Sequence, residues 1–348
     1  MHSLPARRSE KVRTKDTPAR SWPRAIEAAW HRIESKIERT AFERSTALTD
    51  ACGAEVWLKH EERQTTGSFK LRGAMNALLA LSAAERARGI VAASTGNHGL
   101  ALAHALARTG SSGTIVVPTT IDAGKRRALE AAGATLESVG RDCVEAERAA
   151  RALAARRKVP YLSPYNHPDV IAGQGTLGYE LDLQAGSAPL DAVFVAVGGG
   201  GLAAGVAAWL KHERPGVRVI GCQPSRSAVM ARSVVAGKLV EEPVRKTLSD
   251  ATAGGIEAGS LTLPLCRDLI DEWILVPESA LARAMRMLIE LEHCLVEGAA
   301  ALPLAALSSR ADHFRGQRVA LVLCGRNVDA NTVRRVLGPI TRRRSGSL

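Results

Sequence analysis

A lysine at the start of a predicted helix is the first side chain in this sequence that could act as a nucleophile. Lys70 ends the loop of residues 65–70, directly after Phe69, between a run of strand-forming residues and a run with helical spacing. Burial near the positive end of a helix lowers the pKa of an amine, and a neutral amine can form a Schiff base. Most lysines are solvated surface residues, but Gly67 and Ser68 in the same loop favour a reactive one.

A second polar loop, residues 94–99, also follows a predicted strand and precedes a predicted helix. Its first five residues are Ser94, Thr95, Gly96, Asn97 and His98. Their polar side chains and backbone N–H groups would converge beyond the carboxyl end of the strand, where a substrate carboxylate can be held. A helix cap with a glycine turn explains the pattern equally well.

A run of four glycines separates an apolar strand from a predicted helix: Gly198, Gly199, Gly200 and Gly201. Glycines permit positive φ angles and close backbone approach, so the N–H groups of this loop can surround a phosphate. The loop also fits a dinucleotide-binding pattern that ends at Ala203, which makes a nicotinamide oxidoreductase a competing interpretation. However, the strand of residues 218–222 is followed by Gln223 and not by the acidic residue of that pattern.

The elements that position these loops alternate between short apolar runs and longer segments of helical period, which predicts an α/β fold with parallel strands. We predict strands at residues 55–59, 90–93, 114–117, 135–139, 192–197, 218–222, 273–276 and 318–323. We predict helices at residues 70–81, 100–108, 123–132, 144–156, 202–212, 278–292 and 298–307. Ser68, Asp142 and Ser279 are predicted helix caps. The Pro/Gly-rich passage 161–178 is predicted to cross between two lobes.

The same order predicts a small domain at residues 83–165 and a large domain at residues 25–82 plus 166–340. Residues 1–24 are rich in basic side chains and are predicted to be a disordered leader, and residues 341–348 a basic tail. Too few residues follow the last strand for a regulatory domain, so none is expected. Because these ends hold most of the net charge of +12, and few aromatic residues accompany it, we expect no nucleic-acid partner.

The six cysteines are widely spaced and form no CxxC pair. This spacing argues against a structural zinc site and against a disulfide framework, and it is typical of a reducing compartment. The apolar runs are too short or too rich in glycine to span a membrane, and the N-terminus has no apolar signal core. We therefore expect a cytoplasmic protein without a membrane partner.

Four motifs in a fixed order resemble the serine/threonine dehydratase family of fold-type II pyridoxal-phosphate enzymes, which includes serine racemase. The motifs are residues 68–70, residues 94–99, the glycine run and residues 323–327, and the resemblance covers about residues 25–340. It implies two lobes like those of the tryptophan synthase β chain, each with a mostly parallel twisted sheet flanked by helices. It also implies pyridoxal 5′-phosphate as cofactor, an amino acid as substrate and a homodimer. The implied reaction eliminates water and then ammonia from a serine- or threonine-like β-hydroxy amino acid.

By the same resemblance, Lys70 would bind the cofactor as a Schiff base and take the Cα proton, while Phe69 would pack on the cofactor ring. Asn97 would hydrogen-bond the phenolic oxygen of that ring. Residues 94–98 would hold the substrate carboxylate, and Gly198 to Gly201, with Leu202 after them, would bind the phosphate.

Cys324 would face the pyridine nitrogen of the cofactor. A thiol cannot fully protonate that nitrogen, which favours elimination over transamination. Thr95 stands where racemases use a serine on the opposite face of the cofactor, so it is the second candidate catalytic residue. A racemase or a β-replacement enzyme of the same fold is the alternative function.

Several positions stay open or depart from the family pattern. Residues 223–229 lack the two carboxylates that hold a divalent cation in some relatives, so no metal site is expected. Arg326 either contacts the substrate or reaches solvent. Residues 249–256 either line the pocket or form a surface turn, and Glu297 either lies near the pyridine ring or stands at a helix entry. The β-substituent of the substrate is not determined.

Overall fold

The computed structural model describes residues 3–5, 21–243 and 245–338. The strands are β1 (Ser3–Pro5), β2 (Phe42–Arg44), β3 (Glu55–Lys59), β4 (Ile90–Ala93), β5 (Gly113–Val117), β6 (Thr135–Ser138), β7 (Ala192–Ala196), β8 (Arg218–Pro224), β9 (Glu272–Val276) and β10 (Arg318–Val322). The helices are α1 (Trp22–Ile33), α2 (Thr46–Cys52), α3 (Lys70–Ala80), α4 (Ala83–Arg88), α5 (Asn97–Thr109), α6 (Ala123–Ala131), α7 (Cys143–Arg157), α8 (Pro168–Ala185), α9 (Gly201–Glu213), α10 (Val229–Ala236), α11 (Thr262–Leu269), α12 (Glu278–Glu292), α13 (Gly298–Ser309) and α14 (Ala330–Leu337).

Two sheets organise the chain. The larger has the order β1-β9-β8-β7-β10-β3-β2, and its five central strands are parallel while β1 and β2 pair antiparallel at the edges. The smaller is the parallel sheet β4-β5-β6. The α/β prediction is confirmed, and the smaller sheet lies within the range that we propose for the small domain.

The central strands are buried on both faces, as expected for parallel strands covered by helices. All five residues of β7 are buried, and Val319 to Val322 of β10 are buried as well. Their apolar side chains form the main core together with residues of α8, α9 and α13. Since this core fixes the carboxyl ends of β3, β7 and β10, it also fixes the loops that follow them.

The passage 161–178, predicted to cross between the lobes, is helical from residue 168 onward, where α8 begins. The glycines of this passage allow close helix packing and do not break the helix. A Cβ at Gly173 would lie 2.6 Å from the Cα of Gly73 in α3, and a Cβ at Gly205 in α9 would lie 2.6 Å from the amide nitrogen of Gly175. Glycine therefore brings α8 into backbone contact with both neighbouring helices.

The predicted caps had mixed outcomes. Asp142 caps α7 as predicted, since its carboxylate accepts from the amides of Val144 and Glu145. Ser68 does not cap α3, because its backbone forms a bridge with Gly325 and its Oγ has no partner. Ser279 does not cap α12, because that helix begins one residue earlier, after Pro277.

The basic ends are described only in part. Residues 3–5, predicted to be disordered, form β1 through pairing with β9. The rest of the leader up to residue 20, and the predicted tail at residues 341–348, lie outside the described residues. Among the helices that the structure describes, none is both long enough and apolar enough to pass through a bilayer.

A buried group of charged side chains joins α3 to α8. Arg72 Nη2 donates to Glu61 Oε1 at 2.7 Å and to Glu180 Oε2 at 2.9 Å, and Lys59 Nζ donates to Glu180 Oε1. Removing one partner from such a buried group costs about 3–5 kcal/mol. The pairing therefore holds the first turn of α3, which carries Lys70, in a fixed position.

Candidate active site

The three loops and Cys324 open on one cavity of about 920 Å3. It is lined by every residue that the sequence assigned to chemistry or binding: Phe69, Lys70, Ser94, Thr95, Gly96, Asn97, His98, Gly198, Gly199, Gly200, Gly201, Leu202 and Cys324. The loops after β4 come from the smaller sheet and those after β3, β7 and β10 from the larger one. The cavity thus lies where the carboxyl ends of strands from both sheets meet, as is usual for ligand sites in α/β folds.

Lys70 is the first residue of α3, and its Nζ donates to the carbonyl oxygen of Pro164 at 2.8 Å. The amine also lies 5.1 Å from the centre of the Phe69 ring. Burial lowers the pKa of Lys70 to about 8, although Cys324 and Glu297 act in the opposite direction. A substantial share of this amine is therefore neutral near pH 8, as a nucleophile or a base requires.

The loop after β4 presents backbone and hydroxyl groups to the cavity. The amide of Gly96 donates to Ser94 Oγ at 3.3 Å, and a Cβ at Gly96 would meet nothing within 4 Å. Nε2 of His98 lies 3.2 Å from the carbonyl oxygen of Leu162, and burial lowers the pKa of His98 to about 3. Because this imidazole stays neutral, an anion bound by the loop would contact amides and hydroxyl groups and no positively charged ring.

The glycine run connects β7 to α9 and leaves amide donors at the start of the helix. Gly200 has a φ of 89°, and the first helical hydrogen bond runs from the Ala204 amide to the Gly200 oxygen at 2.8 Å. The amides before Ala204 have no acceptor within the helix, so an anion can accept from them. A Cβ at Gly199 would lie 2.4 Å from Cγ of Tyr165, so a larger residue does not fit beside that ring.

Asn97 is fixed by two residues of the larger lobe. Its Nδ2 lies 2.9 Å from both carboxylate oxygens of Glu297, and its Oδ1 accepts from Asn327 Nδ2 at 2.7 Å. Glu297 precedes α13 without capping it through its side chain, and burial raises its pKa to about 7. The sequence left open whether Glu297 lies near the cofactor ring or only stands at the entry of a helix. The structure favours the first interpretation, because Glu297 lines the cavity.

Cys324 lies just beyond β10 and is buried at the cavity wall. Burial raises the pKa of its thiol well above the usual range, and the nearby carboxylate of Glu297 acts in the same direction. The thiol is therefore protonated at neutral pH. It can offer a weak S–H donor to a group in the cavity, but no charge.

Two other open positions are placed by the structure. Residues 250–255 line the cavity, so this segment is not a surface turn remote from the site. Arg326 is exposed and is not among the residues that line the cavity, so its side chain reaches solvent.

The sequence missed several lining residues because each is unremarkable in its own segment. Pro164 and Tyr165 precede α8, and only the folded chain places them beside Lys70 and the glycine run. Lys125 of α6 also lines the cavity, and its Nζ lies 3.2 Å from Oδ2 of Asp250, a residue of the segment 249–256 that the sequence had left open. No local motif marks such a pair, since its members are far apart in the sequence.

Comparisons with known proteins agree on one family. A family model described as pyridoxal-phosphate dependent enzyme matches residues 33–325. An L-threo-3-hydroxyaspartate ammonia-lyase from Pseudomonas sp is 37% identical over 309 residues, which cover 89% of this chain and 96% of that protein. An L-threonine ammonia-lyase from Thermotoga maritima is 36% identical over 312 residues, which cover 90% and 77%. The structure of maize serine racemase matches with a TM-score of 0.84 at 30% identity, covering 89% of this chain and 95% of the other.

Proposed function

This chain belongs to the family of pyridoxal-phosphate dependent enzymes, and we propose that it eliminates water and then ammonia from a serine- or threonine-like β-hydroxy amino acid. The observation that carries the proposal is that Lys70, the glycine run and Cys324 open on one cavity. The two ammonia-lyases reported above support it, since threonine and 3-hydroxyaspartate both carry a β-hydroxyl group. The product is a 2-oxo acid.

The residues of the cavity fit the cofactor in three respects. The amides at the start of α9 lack helical acceptors and suit a phosphate. Lys70 offers a partly neutral amine to an aldehyde. Cys324 offers a neutral thiol to a ring nitrogen. When bound, pyridoxal phosphate withdraws electrons from the Cα of the attached amino acid, so that its proton becomes acidic and the β-hydroxyl can leave.

The side chains and amides would then share the remaining work. We assign to Lys70 Nζ the removal of the Cα proton, because the Pro164 carbonyl holds the amine at the cavity and burial keeps much of it neutral. We assign the substrate carboxylate to residues 94–98, whose amides and hydroxyls face the cavity. The enamine that leaves the site takes up water and releases ammonia.

Asn97 would orient the cofactor ring, and Thr95 would influence whether the site eliminates water or racemises the substrate. Asn97 is held by Glu297 and Asn327, so it can present a fixed group to the cofactor ring. Thr95 lines the cavity and could move a proton at a second face of the substrate, which is the basis of the racemase alternative. Its branched side chain is stiffer than the serine of racemases, which favours elimination.

The test is an assay of the protein loaded with pyridoxal phosphate on serine, threonine, 3-hydroxyaspartate and phenylserine. We expect equal amounts of 2-oxo acid and ammonia from at least one of them and none from alanine, and we expect Lys70→Ala to abolish both. Reaction only with O-acetylserine plus a nucleophile would instead indicate β-replacement. Interconversion of stereoisomers without ammonia would indicate a racemase.

We further propose that the enzyme is cytoplasmic and acts as a homodimer. All six cysteines are free thiols, which suits a reducing compartment. Two-fold symmetric dimers are the commonest soluble oligomers, and the resemblance to serine/threonine dehydratases favours the same state. Light scattering after size-exclusion chromatography gives the mass directly, and a mass of 36.9 kDa for the single chain would contradict the dimer.

A further inference from the structure

Three side chains with different ligand atoms meet outside the cavity described above. The ligand atoms of His60, Glu62 and Cys294 all lie within 4.8 Å of one another. His60 directly follows β3, Glu62 lies in the short helix that follows it, and Cys294 comes two residues after the end of α12. Their side chains are nearly buried, with 2%, 3% and 9% of the residue surface exposed.

Only one of the two oxygens of the Glu62 carboxylate is satisfied by the residues around it. Oε1 of Glu62 lies 2.6 Å from Nδ1 of His60, whereas Oε2 is buried and has no hydrogen-bond partner. Leaving a buried charged oxygen without a partner is costly, so this oxygen favours a ligand or ion that enters the cluster. Oε2 of the exposed Glu43 lies 3.7 Å from Nε2 of His60, which leaves a polar approach from solvent.

We propose that His60, Glu62 and Cys294 bind a divalent ion of the zinc class. Imidazole nitrogen, carboxylate oxygen and thiolate sulfur are the ligands that zinc prefers, and three protein ligands leave the fourth position to water. Magnesium and calcium take oxygen ligands almost exclusively, so this set selects against them. On binding, the ion replaces the proton of the Cys294 thiol and the proton shared by His60 and Glu62, and both protons pass to solvent.

This position is separate from the cation position considered for residues 223–229. That segment follows β8, whereas His60 follows β3, and the sheet order β8-β7-β10-β3 places the two strand ends three spacings apart, roughly 14 Å. Spacing rules for zinc motifs missed the cluster because Cys294 is far from His60 in the sequence. From the cysteine spacing we predicted that the chain has no structural zinc site. The cluster of His60, Glu62 and Cys294 leads us to revise that prediction.

The ion would tie together two segments that border the active-site cavity. The amide of Glu62 donates to the carbonyl oxygen of Leu323 at 2.9 Å, next to Cys324. Cys294 begins the short segment that leads to Glu297, whose amide donates to the Gly325 oxygen at 3.1 Å. The cluster lies outside the cavity and thus supports the two segments that carry Cys324 and Glu297 at the cavity wall.

The experiment is a calorimetric titration of the cofactor-loaded protein with Zn2+, after treatment with a chelator and in the presence of a phosphine reductant. We expect one ion per chain and an increase in Tm that follows occupancy. Cys294→Ala and Glu62→Gln should each weaken binding at least about tenfold, because even residues that only support a metal ligand contribute this much. Co2+ in place of zinc should give thiolate charge-transfer absorption that Cys294→Ala abolishes.

Cys143→Ser is the control for the loss of a thiol, because Cys143 is an exposed cysteine that does not belong to the cluster. It should retain the Zn2+ affinity of the parent. Equal affinity in the parent and in Cys294→Ala would overturn the proposal, as would loss of binding in Cys143→Ser or no binding up to millimolar Zn2+. Should Cys294→Ala fail to retain the cofactor, Cys294→Ser and Glu62→Gln provide the same comparison.

Discussion

Nδ2 of Asn97 lies 2.9 Å from both carboxylate oxygens of Glu297, which joins the start of α5 in the smaller lobe to the start of α13 in the larger one. The contact places a titratable group at the meeting point of the two lobes. Burial opposes ionisation of that group more strongly than the Asn97 amide favours it, so the pKa of Glu297 rises to about 7.

Glu297→Gln should remove a pH dependence of stability from the cofactor-free protein. Between pH 4.5 and about 7, the folded state keeps a proton on Glu297 that the unfolded state has released, so this contribution is present below pH 4.5 and is lost as the pH rises through about 7. The difference corresponds to about 2.5 kcal/mol between pH 5 and pH 8. Urea unfolding of both proteins at these two pH values measures it.

Other groups titrate in this range, so the informative quantity is the difference between the two proteins. Glu292→Gln, at a half-buried glutamate of α12 whose carboxylate accepts from Ser45 Oγ, is the control for the loss of a carboxylate elsewhere, and the pH dependence assigned to Glu297 should persist in it. If Glu297→Gln followed the parent as well, the carboxyl group would not be protonated in the folded protein.

Cofactor loading should depend on pH through Lys70. Its pKa near 8 means that the neutral amine, which attacks the aldehyde, increases as the pH rises from 7 to 9. We expect the rate at which the cofactor-free protein gains visible absorption to rise roughly tenfold over this interval, because the neutral fraction of an amine with a pKa near 8 rises by that factor. Borohydride reduction and peptide mapping should then place the cofactor on Lys70.

Lys211→Ala is a suitable control for this experiment, because Lys211 forms a partly buried ion pair with Asp271 and is not among the residues that line the cavity. It should load like the parent, whereas Lys70→Ala should retain no cofactor after reduction and denaturation. A modified peptide that contained another lysine would contradict the assignment.

Gly199→Ala should weaken cofactor binding. The added Cβ would lie 2.4 Å from Cγ of Tyr165, so either the ring or the loop must move. Overpacking of this kind costs about 1–3 kcal/mol, which predicts a Kd for pyridoxal phosphate about 5- to 150-fold higher. Gly216→Ala is the matched control, because a Cβ there would meet nothing within 4 Å and should leave the Kd unchanged. Equal Kd values for the two variants would show that Tyr165 does not confine the loop.

The sequence was sufficient for the elements whose pattern is local. All eight predicted runs became strands: the runs 55–59 and 90–93 matched β3 and β4 at both ends, and the other six were shifted by at most two residues. Buried parallel strands are rich in apolar residues, which makes such runs easy to recognise. Helix α8 was missed because its glycines resemble loop signals, although they serve contact with Gly73 and Gly205. The edge strands β1 and β2 were missed because three residues carry too little periodicity.

The residues of the candidate site also fall into those that a local motif reveals and those that it does not. Lys70, Asn97 and the glycine run could be found because each lies in a loop whose residue types are unusual together. The pairing of Asn97 with Glu297, the Pro164 carbonyl beside Lys70, and the cluster around His60 depend on contacts between distant segments. Residue spacing carries no information on such contacts, so only the folded chain reveals them.

The ion pair between Lys125 and Asp250 joins the two lobes at the edge of the cavity, and we expect it to affect substrate binding more than stability. Both side chains are about half exposed or more, and a pair of this kind contributes about 0–1 kcal/mol. Lys125→Ala should therefore raise KM by up to about fivefold, because the arrangement in which the lobes are joined loses at most that free energy. The unfolding free energy should change by less than about 0.5 kcal/mol.

The nearby pair of Arg126 and Glu130 provides the control, since it lies within α6 and does not join the lobes. Glu130→Gln should leave KM unchanged. In a double-mutant cycle, Asp250→Asn should add little to Lys125→Ala, and added salt should reduce the difference between the parent and either variant. If the effects of the two substitutions on KM instead added up in the double variant, each residue would act on the substrate by itself. The ion pair would then not be the feature that affects substrate binding.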